Sequence, residues 1–251
     1  MNIKRLNSDK AEDKLSDLIE RVDKVRENDE LHSLVKESKE KYGVRNISFA
    51  GFNLGTLTLI EPVSVWTYKP EWIDHYRRKN YLDVDPVVKT VPTSILPVDW
   101  SQFDRRDQNV KAFFSEAYDA GVGNHGLSIP VRGRNGEFSI FSLTFDESEH
   151  DWQEYKRLYM RDFQVLAVFF HQSMLRAHKV TAPEFELTER ELQVLYWAAC
   201  GKTSDETGMI LGISKRGIRY HTSNILTKLN AVNIAHAVGK AVYFNLINPP
   251  K

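Results

Sequence analysis

Cysteine is nearly missing from this chain: Cys200 is the only one in 251 residues. An internal disulfide and a cysteine-rich metal cluster are therefore excluded. No apolar run approaches the roughly 18 residues of a membrane span. The opening MNIKRLNSDKAEDK is charged where a secretory leader needs an apolar core, so a cytoplasmic protein is expected. Net charge is missing as well, with 34 basic residues against 34 acidic ones. There is no serine elbow, no histidine cluster at metal-ligand spacing and no phosphate-binding loop, so neither an enzyme nor a metal or cofactor site is expected.

The neutral total conceals an uneven distribution. From Thr207 to Lys251 there is no Asp or Glu, while Lys215, Arg216, Arg219, Lys228, Lys240 and Lys251 give that stretch six positive charges. A basic segment on an acidic body is the footprint of a module that meets a polyanion, although scattered solvated lysines produce the same count.

Hydrophobic periodicity divides the chain further. Leu15, Leu18, Ile19, Val22 and Val25 form one stripe of an amphipathic helix over 11–27, and Leu31, Leu34 and Val35 lead a second one to Tyr42-Gly43. Strands are expected at Val44–Asn53 and Thr56–Trp66, joined around Leu54-Gly55. Pro70 opens a helix, the chain must bend at Asp85-Pro86, and a helix spans Gln108 to Ala120. His125–Arg132 and Glu137–Phe145 flank Arg134-Asn135-Gly136, a hairpin signal. A long helix covers Asp151–Ala177. The expected fold is α+β: an N-terminal α/β/α sandwich on a central antiparallel sheet (1–177), a linker containing Thr181-Ala182-Pro183 (178–186), and an all-α four-helix domain (187–251).

In that last domain two capping boxes, Thr188–Glu191 and Thr203–Glu206, start successive helices. Gly212-Ile213 makes a turn and Ser214 caps a third helix to about Leu229; a fourth runs from Asn233 to about Leu246. Short helix, glycine turn and basic longer helix make a helix-turn-helix. Residues 187–247 resemble the DNA-binding domain of LuxR-type regulators, in Leu187-Thr188-x-Arg190-Glu191, Gly201-Lys202-Thr203, Ile213-Ser214, His221 and Lys228-Leu229. The resemblance implies that Lys215–Leu229 enters the major groove of double-stranded DNA. Arg219, Tyr220 and Ser223 then face base edges, with Arg219 suited to guanine O6 and N7. Thr203, Ser214, Arg216 and Lys228 are expected to bind phosphates and set register, and Lys215 belongs to the same DNA-binding set. Thr207-Gly208, Gly217 and Ile234 depart from the usual pattern.

The first domain lacks the alternating β and α pattern of a phosphoacceptor receiver. Trp66-Thr67-Tyr68-Lys69-Pro70-Glu71-Trp72-Ile73-Asp74-His75-Tyr76, then Asn80-Tyr81 and Asp85-Pro86-Val87, resemble the acyl-homoserine-lactone-binding domain of quorum-sensing LuxR-type receptors. Trp100, Gly126, Ile129-Pro130 and Ser142 fit the same pattern. The Gly121–Gly126 loop and the closing Leu246-Ile247-Asn248-Pro249 look like those of rhizobial members. The implied ligand, an N-acyl-homoserine lactone, suits the side chains. Trp72 has only an N–H to give, for the lactone carbonyl; ionised Asp85 can only accept, from the amide N–H; Tyr68, supported by Ser142, can donate to the acyl carbonyl. Tyr76, Val87, Trp100, Phe113 and Ala117 are expected to line the pocket. Plainer roles exist for each: core aromatics for Trp72 and Tyr68, a turn or cap for Asp85. The whole reads as a ligand-responsive transcriptional regulator, a homodimer paired through the long or the first helix on a palindromic site. The alternatives are a regulator of the same type that answers another small molecule or works unliganded, and an enzyme that processes such lactones.

Overall fold

The computed structural model describes residues 8–54, 62–134, 136–180 and 185–248. The expected turns at Gly55 and Asn135, the start of the second strand and the Thr181-Ala182-Pro183 linker lie outside them. The chain divides into two compact units: Met1–Arg132 with Glu137–Thr181, and Ala182–Lys251 with Gly133–Gly136.

The first unit begins with α1 (Ser8–Lys24) and α2 (Asn28–Tyr42). Gly43, at φ +66°, ends α2 in the left-handed conformation that glycine adopts without strain. Five strands follow in chain order: β1 (Asn46–Phe52), β2 (Val63–Trp66), β3 (Val98–Asp99), β4 (His125–Arg132) and β5 (Phe138–Phe145). They form one antiparallel sheet in the order β2-β1-β5-β4-β3. The two-residue β3 was not legible in the sequence; Val98 and Asp99 simply pair with Ser128 and Leu127.

Period-two alternation sends successive side chains to opposite faces. Ile47, Phe49, Val65, Leu127, Ile129, Phe141 and Leu143 pack in one cluster with α1, α2 and the long α6 (Glu149–Ala177). On the other face lie α3 (Pro70–Arg78), the short α4 (Pro86–Thr90) and α5 (Gln108–Asp119), which contribute Trp72, Val87, Phe113, Phe114 and Ala117 to a second cluster. The α/β/α sandwich is thus as expected. Asp85-Pro86 is a helix start rather than a bare bend: Asp85 caps α4, its Oδ1 accepting the Val87 N–H at 2.8 Å.

The second unit holds α7 (Glu189–Ala199), α8 (Ser204–Leu211), α9 (Lys215–Lys228) and α10 (Ile234–Tyr243) around Val194, Leu195, Ile218, Ile225, Leu229, Ala237 and Ala241. Both capping boxes form, and Ser214 and Asn233 cap α9 and α10. Gly208 has a steric reason: a Cβ there would stand 2.8 Å from the Ile213 carbonyl oxygen, against the turn into α9. Among the described residues no helix is long and apolar enough to cross a membrane.

Candidate functional site

Between the sheet and α3–α5 lies a cavity of about 290 Å³. Tyr68, Trp72, Tyr76, Asp85, Val87, Trp100, Phe113, Ala117 and Ser142 all line it. The chain brings them from six separate elements or loops. On α3 the i, i+4 spacing of Trp72 and Tyr76 puts both rings on one face, and Phe113 and Ala117 do the same from α5. Trp72, Tyr76, Tyr81 and Phe113 form a connected set of aromatic rings with centroids 5.1–6.1 Å apart. The sequence reading missed other walls: Ser48, Ala50 and Phe52 of β1, Ser64 and Trp66 of β2, and Ile73, Val122 and Ile140.

Among the described residues lining the cavity Asp85 is the one carboxylate; the hydroxyls of Tyr68, Ser48, Ser64 and Ser142 can donate or accept, and Arg77 and Asn80 also face the space. Asp85 is 8% exposed and takes the Tyr76 hydroxyl on Oδ2 at 3.0 Å. Burial pushes its carboxyl up to about 6, against the opposing pull of the Val87 N–H and the Tyr76 hydroxyl. At neutral pH it is mostly ionised and retains lone pairs to offer. Burial likewise pushes the Tyr68 phenol up to about 12, so Tyr68 remains a neutral hydroxyl. It bonds Ser48 Oγ at 3.3 Å rather than Ser142. Ser142 instead bonds Ser128 Oγ at 2.7 Å. The Trp72 indole, 5% exposed, has no hydrogen-bond partner among the described residues, although its N–H can only donate. Behind Trp72, His75 stacks on the indole at 5.8 Å and bonds Glu116 at 2.5 Å, tying α3 to α5.

In the second unit the expected nucleic-acid residues share α9 and its approaches. Arg216, Arg219, Tyr220 and Ser223 are exposed on one side of α9, opposite buried Ile218, Ile225 and Leu229. Among the described residues neither Arg216 nor Arg219 has an internal hydrogen bond or ion pair. Other members of the set are engaged. Lys215 pairs with Asp205 at 3.0 Å. Lys228 pairs at 2.8 Å with Glu191, which is 2% exposed. Burial works against a charged Glu191, but Lys228 and the Thr188 N–H outweigh it and hold its carboxyl below the ordinary range. The Thr203 and Ser214 hydroxyls accept from Glu206 and Gly217 N–H groups as helix caps.

Comparison with known proteins agrees with both halves. The autoinducer binding domain matches residues 27–174, and the domain of bacterial regulatory proteins of the luxR family matches 186–241. The chain is 30% identical over 237 residues to the transcriptional activator protein VanR of Vibrio anguillarum, covering 94% of this chain and 98% of that one. It is 34% identical over 179 residues to the transcriptional activator protein RaiR of Rhizobium etli, covering 70% and 74%. The crystal structure of Escherichia coli SdiA shares the fold, with a TM-score of 0.64 and 21% identity over 95% of this chain and 99% of that one. An autoinducer-binding unit joined to a helix-turn-helix unit makes this chain a member of the LuxR family of bacterial transcriptional regulators.

Proposed function

We propose that the cavity binds an N-acyl-homoserine lactone, and that the occupied protein acts in the cytoplasm as a homodimer on a palindromic DNA site. The observation that carries this reading is the polar inventory: a partnerless indole N–H at Trp72, hydroxyl donors at Tyr68 and Ser142, and one buried carboxylate at Asp85. An acyl-homoserine lactone offers the complementary set, two carbonyl acceptors and one amide N–H. Trp72 takes the lactone carbonyl, Asp85 the amide N–H, and Tyr68 with Ser142 the acyl carbonyl. The remaining wall, Val87, Phe113, Ala117 and Ile140, is apolar and suits the tail. Each tail methylene removed from water contributes about 0.8 kcal/mol, so tail length is selected by how far the cavity is filled.

A ligand that binds only the folded state stabilises it by mass action. Thermal unfolding of the purified chain with lactones of graded tail length therefore tests the reading: the midpoint should rise and pass through a maximum with length. No rise with any lactone would sink it and leave a regulator that answers another molecule or none.

For DNA, the exposed and unpaired Arg219 is the residue assigned to a base, with Arg216 beside it near the phosphate backbone. Tyr220 and Ser223 complete the face presented to the groove. Lys215, Lys228, Thr203 and Ser214 serve the same surface, holding helix ends in place while lying close to phosphate. Arg219→Ala should cost about 1–3 kcal/mol of sequence-specific affinity in a gel-shift titration while nonspecific binding persists. Equal loss on all sequences would reassign Arg219 to the backbone.

A further inference from the structure

Strand register places Trp66, Ser48, Ser142 and Ser128 side by side across β2, β1, β5 and β4. Three serines thus form a single row on the cavity side of the sheet, each flanked in its own strand by large apolar residues that face the other way. Trp100 closes the row. Its ring lies flat against Gly126, where an added Cβ would stand only 2.1 Å from the indole. Its Nε1 donates to Ser128 Oγ at 2.9 Å, and Ser128 Oγ meets Ser142 Oγ at 2.7 Å.

Counting hydrogens fixes the direction of this chain. The indole N–H can only donate, so Ser128 accepts from Trp100. Ser128 is fully buried, and Trp100 and Ser142 are its only side-chain partners among the described residues. Were Ser142 to donate to Ser128, the Ser128 hydrogen would be stranded, which costs more than a hydrogen bond returns. Ser128 must therefore donate to Ser142. The Ser142 hydrogen is then left for the cavity that Ser142 lines.

We propose that Ser128, held by Trp100, is a positioning residue that turns the Ser142 hydrogen into the cavity, so that Ser142 donates to a carbonyl oxygen of the ligand at that point. Ser128 never touches the ligand. Its effect passes through Ser142, since a hydroxyl that is itself accepting a hydrogen bond donates more strongly. Gly126 belongs to the same device, because any side chain there would lift Trp100 off Ser128. The inference rests on the acyl-lactone reading above.

The test is isotope-edited infrared spectroscopy of N-octanoyl-homoserine lactone labelled with carbon-13 at the acyl carbonyl, bound to the full chain. In the wild-type protein the labelled band should be red-shifted relative to Ser142→Ala. Ser128→Ala and the near-isosteric Ser128→Cys should each lose part of that shift and broaden the band, whereas Ser128→Thr should keep it. A purely structural role for Ser128 would alter stability and leave the band of bound ligand where it was. If both Ser128→Ala and Ser128→Cys retain the full shift, the relay is refuted; the same holds if Ser142→Ala leaves the band unmoved. If the octanoyl compound does not bind, the label is placed on the lactone of the graded series that raises the unfolding midpoint most; if no lactone of any tail length binds, the ligand reading falls, and this inference with it.

Discussion

The two faces of the one sheet are built to opposite ends. Against α1, α2 and α6 the strands present Ile47, Phe49, Phe141 and Leu143, which mesh with Phe163, Phe170 and Met174, each of these seven no more than 1% exposed. Against α3–α5 the same strands present Ser48, Ala50 and Ser142, and a cavity remains. Alternate residues of a single strand therefore do different work: odd positions of β1 and β5 secure the fold, and even positions leave room and polarity for a guest. Large apolar groups on the tight face supply the stability that a hollow face cannot.

The harshest way to break this comparison is to hollow the tight face. Phe163→Ala should cost about 3–5 kcal/mol in urea unfolding, and a much smaller cost would mean that α6 is not the anchor of the sheet. Next in size is the buried carboxylate of the hollow face. Asp85 has its folded value raised to about 6 by burial, so the unliganded fold gains stability as the pH falls through 6 towards 4 and loses it on the way back up. Asp85→Asn should abolish that slope and raise unliganded stability above pH 6 by up to about 3 kcal/mol, while weakening lactone binding. Stability that falls at every pH would instead make Asp85 a structural cap alone. The smallest effect is expected at Trp72. Trp72→Phe keeps most of the ring and removes the partnerless N–H, so lactone affinity measured by calorimetry should drop about tenfold with little change in the unfolding midpoint.

Much of this was readable from residue order. Helix limits followed from caps: Thr188, Thr203, Ser214 and Asn233 each stand where a helix begins. The nine expected cavity residues lie around one space because helical spacing and family pattern pointed to the same faces. What the order concealed was register. A serine between two large apolar residues recurs in Ile47-Ser48-Phe49, Leu127-Ser128-Ile129 and Phe141-Ser142-Leu143, an alternation that by itself reads as a strand with one apolar and one polar face. Nothing local says that the three align; that depends on which strands pair and at which residue. For the same reason the residue that bonds Ser142 within the protein, Ser128, is not legible in the sequence. The α9 lysines taught a similar lesson, since the partner of Lys228, Glu191, is 37 residues away.

Rung-by-rung construction of the cavity floor also bears on how such a receptor can change its preference. The polar contacts occupy the Ser48–Ser142–Ser128 rung, whereas the next one along holds Ser64, Ala50, Ile140 and Pro130. Enlarging Ala50 or trimming Ile140 would alter the depth available beyond the head of the guest without disturbing the atoms that grip it. On the proposed lactone reading, recognition of the head and measurement of the tail sit at separable loci, and a lineage could retune one by single replacements while the other is kept.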